Sequence, residues 1–485
     1  MDNMLIASPE IFLLTATCAV LVIGLFTSAK SQIIYWLSQA TLLVAFLLSF
    51  SQVGDVQSVR EGGQLTAFSG AYGIDAMSTS LKSWILLIAI GVFLYSRDYL
   101  TDRRIARSEY YVLGLFAVAG MMIMVSAINM LTVYLGLELL ALSQYAMVAL
   151  YRDDKRAAEA AMKYFVLGAL ASGMLLYGMS IVYGATGSLD LATIHSLLTG
   201  GGVGPQAMQS IGARFGLTFI IVGIAFKLGA VPFHMWVPDV YEGAPTSVAM
   251  FISTAPKIAA FAMLIRLLVD GLGSLNADWQ QMLAILAALS MIVGNLVAIA
   301  QTNIKRMLAY STISHVGFLL MGIVGATAES YSASMFYAIT YAFTTLAAFG
   351  VLVVLSRDGH EAVMLDDLAG LGRRNVLLAT VMMLAMISLA GVPPLVGFYA
   401  KLSVLKAAIN ADYLWLALVG VGMSVIGAFY YLRVIKLMFF DDPVDSNEVH
   451  IAGDVSAGLA VNGLGVIVLG VFPSLIMGAC IAAFS

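Results

Sequence analysis

The sequence predicts an all-α membrane protein that crosses the bilayer about fourteen times. Hydrophobic residues make up 61% of its 485 residues and charged residues only 11%, which is too little charge to cover the surface of a soluble protein of this length. Apolar runs of roughly 20 residues, long enough to span a bilayer, follow one another almost from end to end. Basic residues gather in alternate connections between these runs, as is typical of polytopic membrane proteins.

The apolar runs and the polar breaks between them define the predicted spans. They lie near residues 10–29, 33–51, 75–96, 109–127, 130–150, 157–184, 209–236, 246–269, 279–300, 304–326, 331–355, 375–409, 413–438 and 456–483. The first follows an acidic start without the basic region and small-residue cleavage site of a signal peptide, so we expect it to remain in the mature protein. Residues 51–74 and 185–208 are predicted to be polar loops.

The basic residues predict the orientation of the spans. Of 24 basic residues, fifteen lie in or beside odd-numbered connections and four in or beside even-numbered ones. The fifteen are Lys30, Arg97, Arg103, Arg104, Arg107, Arg152, Lys155, Arg156, Lys305, Arg306, Arg357, Arg373, Arg374, Arg433 and Lys436, and the four are Arg60, Arg214, Arg266 and Lys406. The positive-inside rule therefore places the odd-numbered connections in the cytoplasm and both termini in the periplasm.

Several classes of function are excluded by what the sequence lacks. Its two cysteines, Cys18 and Cys480, stand at opposite ends of the chain, and its five histidines are scattered, so neither an iron–sulfur cluster nor a metal site is expected. There is no GxGxxG or Walker A motif for a nucleotide. A net charge of −4 without a basic patch argues against nucleic acid. We therefore expect no cofactor and no redox centre in this chain.

Charged residues stand inside the predicted spans. They are Glu138, Lys163, Lys227, Lys257 and Lys401. At about 2.5–3.5 kcal/mol for each charge at a helix centre, the five together cost on the order of 15 kcal/mol, so they must be paired, hydrated or neutral part of the time. Intramembrane ionisable residues mark transport paths by default; the alternative is a set of structural ion pairs. Lys163, about two turns from the basic loop 152–156, is the weakest candidate, and Lys82 is expected to snorkel from a span end.

Two spans are broken near mid-membrane. Gly229 and Pro232 interrupt the seventh, and Gly391, Pro393 and Pro394 interrupt the twelfth, where we expect freed carbonyls, such as that of Ala390, to hold water. An ordinary proline kink is the alternative for either break. Because five spans separate the breaks, the sequence predicts two inverted five-helix repeats, spans 4–8 and 9–13, as in many transporters. The predicted units are therefore 1–108, 109–270, 271–440 and 441–485.

Hydroxyl and imidazole groups stand between the two breaks. Tyr337, Tyr341, Thr344 and Thr345 share one face of the eleventh span, although interhelical hydrogen bonding would explain each of them singly. His315 in the tenth span is a stronger candidate for proton relay, because histidine titrates near neutrality.

One long motif carries a resemblance to a known family. The stretch Phe226-Lys-Leu-Gly-Ala-Val-Pro-Phe-His-Met-Trp-Val-Pro-Asp-Val-Tyr-Glu-Gly-Ala-Pro-Thr246 resembles the signature of the antiporter-like subunits of respiratory complex I and of Mrp-type cation/proton antiporters. The continuation from Ser247 to Lys257, the lysine at 401 and the lack of a long extension after the fourteenth span resemble the bacterial subunit N branch more than the L or M branches. The resemblance covers nearly the whole chain.

The resemblance implies a role for each charged residue. Glu138 matches the fifth-helix glutamate that pairs with a seventh-helix lysine, here Lys227, and Lys257 and His315 match connecting groups. Lys401 matches the terminal lysine, while Lys163 and His234 are further candidates for proton transfer. The family keeps FMN, iron–sulfur clusters and quinone in other subunits, and the expected partners are other membrane-arm subunits and lipid in a bacterial inner membrane.

These observations together favour a proton-translocating module of a redox-driven NADH-quinone oxidoreductase. A stand-alone Mrp-type antiporter subunit would use the same residues, and so would the equivalent subunit of a ferredoxin-oxidising photosynthetic relative. A structural scaffold with locked ion pairs is the alternative from another class.

Overall fold

The computed structural model describes residues 5–27, 32–58, 65–103, 105, 107–199, 205–356, 361–443, 449 and 451–485. These are almost all helical. Lys30, Arg60, Arg104 and Arg357, which contributed to the predicted orientation, lie outside the described residues.

Long helices follow one another along the chain. The first are α1 (Ser8–Phe26), α2 (Ile33–Ser58), α3 (Ala76–Asp102), α4 (Arg107–Val125), α5 (Met130–Val148), α6 (Lys155–Thr186), α7 (Leu191–Thr199), α8 (Pro205–Leu228), α9 (Trp236–Gly243) and α10 (Thr246–Ser253). They are followed by α11 (Ala255–Leu264), α12 (Asn276–Ile299), α13 (Ile304–Ile323), α14 (Ala328–Leu355), α15 (Leu371–Arg374), α16 (Val376–Ala390), α17 (Val396–Asn410), α18 (Leu414–Phe440), α19 (Gly453–Val471) and α20 (Ser474–Ala482). A π-helical turn, Ile265–Gly271, continues α11.

The helices account for the predicted crossings. Within the described residues, 12 segments are long and apolar enough to span a membrane. The two remaining predicted spans correspond to α13, which carries a polar face around His315, and to the broken pair α16 and α17, each of 15 residues. The all-α polytopic fold is therefore confirmed.

Both predicted loops contain regular structure that the sequence analysis missed. A short antiparallel hairpin, β1 (Leu65–Ala67) with β2 (Tyr72–Ile74), lies in the first loop, and helix α7 occupies much of the second. Three-residue strands are too short to give an alternating pattern. The eighth span is also interrupted, because Thr254 leaves helical geometry between α10 and α11.

The first helix pair of each predicted repeat packs in the same way. A Cβ atom at Gly120 of α4 would lie 2.6 Å from the backbone nitrogen of Leu140 in α5. A Cβ atom at Gly294 of α12 would likewise lie 2.5 Å from the backbone nitrogen of Ser314 in α13. Only glycine allows the backbones to approach so closely, which is the usual basis of tight helix packing in membranes.

Ion pairs join the connections between helices at each of the two ends of the bundle. At one end, Arg103, Lys305 and Glu361 join the connections that follow α3, α9, α12 and α14. We call this the basic end. At the opposite end, Arg266 binds Asp75 at 2.7 Å and Asp270 at 3.0 Å, joining the connections before α3 and after α11. The odd- and even-numbered connections are thus separated as the basic residues predict.

Candidate functional site

The first helix break ends α8 in the interior of the bundle. Gly229 follows the helix with φ +84°, a left-handed conformation that favours glycine, and the Val231–Pro232 peptide bond is cis. The Nζ atom of Lys257, which is 2% exposed, donates a hydrogen bond to the carbonyl of Leu228 at 2.8 Å. A buried lysine from α11 therefore closes the C-terminal end of α8, where a positive charge is favoured.

The second break has the same construction. Gly391 follows α16 with φ +86°, and Lys401 of α17 donates to the carbonyl of Ala390 at 3.0 Å. The side chain of Lys401 folds back along Gly391, where an added Cβ would lie 2.8 Å from the Cδ of Lys401, and so reaches the carbonyl at which we expect water. In both breaks, the lysine binds the carbonyl just before the left-handed glycine.

Glu138 and Lys227 line one cavity but do not bind each other. Tyr145, Tyr164 and Ser172 also line this cavity. Ser172 donates to the carboxylate of Glu138. In the part of the chain that the structure describes, no direct ion pair joins Lys227 to Glu138; the pair predicted by resemblance is separated.

Lys227 instead donates to the side-chain oxygen of Gln144 at 3.2 Å, and Tyr164 donates to the same oxygen at 2.9 Å. Tyr164 stacks on Trp236 of α9 with ring centroids 4.6 Å apart. The Nζ atom of Lys257 lies 5.4 Å from the centroid of the Trp236 ring. Contacts thus run from the cavity to the lysine of the first break.

His315 is the centre of a hydrogen-bonded group in the second half of the bundle. Its Nδ1 atom lies 2.6 Å from the hydroxyl of Tyr337 and its Nε2 atom 3.1 Å from the hydroxyl of Tyr431, which lies 2.5 Å from Ser311. A second cavity is lined by His315 and by three of the four residues predicted to share one face of the eleventh span, Tyr337, Tyr341 and Thr344. Thr345 does not line it.

Lys163 lies at the basic end rather than on a buried axis. Its side chain is 43% exposed and binds Glu159 and Asp239, each at 2.8 Å. Asp239 also binds Arg306 at 2.8 Å. This geometry agrees with the alternative prediction for Lys163, that its side chain reaches the membrane interface.

Lys82 does not snorkel, contrary to our expectation. Its ammonium group is fully buried, lies 2.6 Å from the carboxylate of Glu10 and donates to the hydroxyl of Tyr72 at 2.8 Å. Because α1 supplies a buried carboxylate, the lysine has no need to reach the interface. The acidic start of the first span is the signal that would have predicted this ion pair.

The sequence analysis predicted neither the burial of Lys305 nor a role for Glu361. Lys305 is 1% exposed and donates to the carbonyl of Ala244 at 2.6 Å, and Glu361 accepts from the backbone nitrogen of Thr246 at 3.0 Å. Burial alone would raise the pKa of Glu361, but the charge of Lys305 and a hydrogen bond from the Thr246 hydroxyl help to hold that pKa below its ordinary value. No local pattern marks Glu361, because its partners are distant in sequence.

His234, the other candidate in the first break, lies in the connection between α8 and α9. Its side chain is half-buried, and its Nδ1 atom has no protein hydrogen-bond partner among the described residues. Among the described residues, no hydrogen bond joins His234 to Lys227 or Lys257.

The fold and the site together define a class of protein: a polytopic membrane protein with two broken helices, each closed by a buried lysine, of the kind that moves ions. The family model described as "NADH:quinone oxidoreductase/Mrp antiporter, TM" matches residues 127–427, more than half of the chain. NADH-quinone oxidoreductase subunit N of Thioalkalivibrio sulfidiphilus is 56% identical over 98% of this chain and 97% of its own length.

Two solved structures have the same fold. A chain of respiratory complex I from Thermus thermophilus with bound aureothin is 32% identical, with TM-score 0.83 over 98% of this chain and all of its own. A chain of the Mrp complex from Dietzia sp. DQ12-45-1b has TM-score 0.84 over 99% of this chain and 96% of its own at 19% identity, which shows likeness of fold alone. This chain belongs to the antiporter-like membrane subunits of NADH-quinone oxidoreductase, in the subunit N family.

Proposed function

We propose that this chain carries protons across the membrane as a membrane-arm subunit of a redox-driven NADH-quinone oxidoreductase. The observation that carries the proposal is the pair of helix breaks, in each of which a buried lysine binds the last carbonyl of a half-helix. A lysine in that position holds a proton in its charged form and binds the carbonyl less strongly in its neutral form. The proposed order of proton-carrying groups is Glu138, Lys227, Lys257, His315 and Lys401.

Partner subunits are part of this proposal. Pro232, Pro393 and Pro394 are exposed on this chain, yet interrupted backbone within the membrane must not face lipid. Neighbouring membrane-arm subunits that cover these prolines would remove the conflict. The membrane is a bacterial inner membrane in this reading, with the basic end in the cytoplasm and both termini in the periplasm.

The electron transfer that drives the pump belongs to other subunits in this proposal. FMN, iron–sulfur clusters and quinone would be held there, and the energy would reach this chain through its contacts with the membrane arm. A stand-alone antiporter would not copurify with an electron-transfer arm, so that association separates the two readings.

Lys257→Met tests the proposal because methionine preserves the length of the side chain and cannot carry a proton. We expect the assembled complex, reconstituted in vesicles, to lose its NADH-driven proton uptake and coupled quinone reduction by about a hundredfold or more, as for loss of one positioned proton-transfer group. Lys406→Met is the matched control, since Lys406 is 66% exposed and pairs with Glu329. Normal proton uptake by an assembled Lys257→Met complex would contradict the proposal.

Lys163→Ala should have a much smaller effect than Lys257→Met. Its exposed ion pairs contribute about 0–1 kcal/mol each, and we expect less than a fivefold loss of proton uptake. The same vesicle assay measures it, with native electrophoresis to check assembly. A defect as large as that of Lys257→Met would place Lys163 on the pathway.

A further inference from the structure

Gln144 is a buried amide in contact with a proposed proton carrier. It is fully buried on α5, and its side-chain oxygen accepts hydrogen bonds from Lys227 and from Tyr164. An ammonium group can only donate, so the amide oxygen, not the nitrogen, must face Lys227. The nitrogen has no protein partner among the described residues, which leaves the oxygen as the functional end of this side chain.

Glu138 has an alternative partner of its own. It stands on the same helix as Gln144, six residues or about 9 Å farther from the basic end. Its carboxylate accepts from Ser172 of α6, while Lys227 binds Gln144. The structure therefore keeps the carboxylate of Glu138 and the ammonium group of Lys227 apart, although both side chains line one cavity. Each of the two groups is hydrogen-bonded to a neutral polar side chain instead.

We propose that Gln144 is a positioning residue for proton release from Lys227: its amide oxygen receives the ammonium group when that group leaves Glu138, while Ser172 retains the carboxylate. The inference rests on the proposed function. A carboxylate stabilises an ammonium group more strongly than a neutral amide does, so Lys227 releases its proton more readily from Gln144 than from Glu138. The lysine nitrogen loses the proton, and the amide neither gains nor loses one.

The contacts around Gln144 give this step a direction. Tyr164, the other donor to the amide, stacks on Trp236, and the Nζ atom of Lys257 lies 5.4 Å from the centroid of that ring. When the ammonium group of Lys227 is bonded to Gln144, it therefore lies next to the side chains that lead to the first break. When it is bonded to Glu138, the same ammonium group would lie farther from the basic end of α5.

Gln144→Glu is the sharpest test because it changes the charge of the acceptor and almost nothing of its shape. With a carboxylate at both 138 and 144, Lys227 would hold its proton more firmly whichever of the two it contacts. Removing that proton would then require a lower proton concentration. We expect the pH optimum of NADH-driven proton uptake to move to higher pH by about one unit or more, the usual effect of a carboxylate close to a cation. An unchanged pH profile and rate in the assembled Gln144→Glu complex would overturn the proposal.

The pH profile can be attributed to Gln144 because the other groups remain. The titratable groups that face Lys227 are Glu138 and Tyr145 on α5, Tyr164 on α6 and Lys257 on α11. None of these is altered by the substitution. A merely structural role for Gln144 would change assembly or stability and would not move the pH profile.

Gln144→Leu removes the acceptor altogether and supplies a second measurement. We expect its proton uptake to fall about tenfold or more, the scale of losing a hydrogen bond to a charged group, without an alkaline shift. Gln39→Leu is the control, since Gln39 lies on α2 and donates to the carbonyl of Ile90, away from the cavity. If Gln144→Leu fails to assemble, the isosteric Gln144→Glu still decides the question.

Lys227→Ala in the same preparation separates two kinds of failure. If Lys227→Ala is impaired and both Gln144 variants are normal, the role of Gln144 is wrong and the proton pathway stands. If Lys227→Ala itself pumps normally, the proposed function of the axis is wrong.

Discussion

Lys227→Ala and Glu138→Ala should each abolish most proton pumping while the complex still assembles. Both side chains line one cavity beside a helix break, and the proposed step needs the ammonium group and a carboxylate that can attract it. Loss of one positioned proton-transfer group typically costs 10²–10⁴-fold, so we expect at least about a hundredfold loss of proton uptake. Quinone reduction that is coupled to pumping should fall with it.

Assembly should survive because neither substitution breaks a direct ion pair, so no buried charge loses its bonded partner. Removing Lys227 leaves a neutral amide, Gln144, and removing Glu138 leaves the hydroxyl of Ser172. Breaking a direct buried ion pair would be far more damaging, at about 3–5 kcal/mol. Proton uptake in reconstituted vesicles and native electrophoresis measure the two properties separately, with Lys406→Ala as the exposed control. Wild-type pumping in assembled Lys227→Ala would refute this role.

The free energy required to move a proton against the membrane potential explains why a buried site is needed. Moving one charge against roughly 200 mV costs about 4.6 kcal/mol, at about 2.3 kcal/mol per 100 mV. An exposed ion pair contributes only about 0–1 kcal/mol, so a pair such as Lys163 with Asp239 could not supply it. Lys257 and Lys401 are 2% and 7% exposed, which places them where electrostatic interactions are strong enough.

The sequence predicted those features that depend on the cost of placing polar groups in a membrane. Apolar runs located the spans, and Pro232, Pro393 and Pro394 located the helix breaks because proline removes a backbone donor from the helix. The buried lysines at 257 and 401 stood out because such charges are expensive in lipid. These signals are local, and each can be interpreted from a single stretch of chain.

Features that depend on contacts between distant segments could not be predicted. The sequence indicates a glutamate and a lysine in neighbouring spans but not that Gln144 and Ser172 hold them apart. Nor does it indicate that Glu361 would bind the start of α10 through Thr246. A polar residue in a span is an ambiguous signal, because interhelical hydrogen bonds and transport paths use the same residue types.

Lys401 gives the clearest distinction between balancing charge and carrying a proton. Its ammonium group donates to the carbonyl of Ala390 at 3.0 Å and lies 5.0 Å from the centroid of the Phe318 ring. Arginine would keep a positive charge there, but its pKa above 12 prevents it from releasing a proton. The same helix offers a matched control in Lys406→Arg, because Lys406 is exposed and pairs with Glu329 at 3.0 Å.

If Lys401 only balances charge, Lys401→Arg should retain activity and Lys401→Ala should lose it. If the lysine must alternate between charged and neutral forms, both variants should impair pumping while both complexes assemble. We predict the second outcome, with a loss of about a hundredfold or more in each, as expected for removal of a proton-transfer group. The measurement is proton uptake in reconstituted vesicles alongside quinone reductase turnover. Full pumping by the assembled Lys401→Arg complex would show that a permanent positive charge is sufficient, and Lys401 could then not be a switching group.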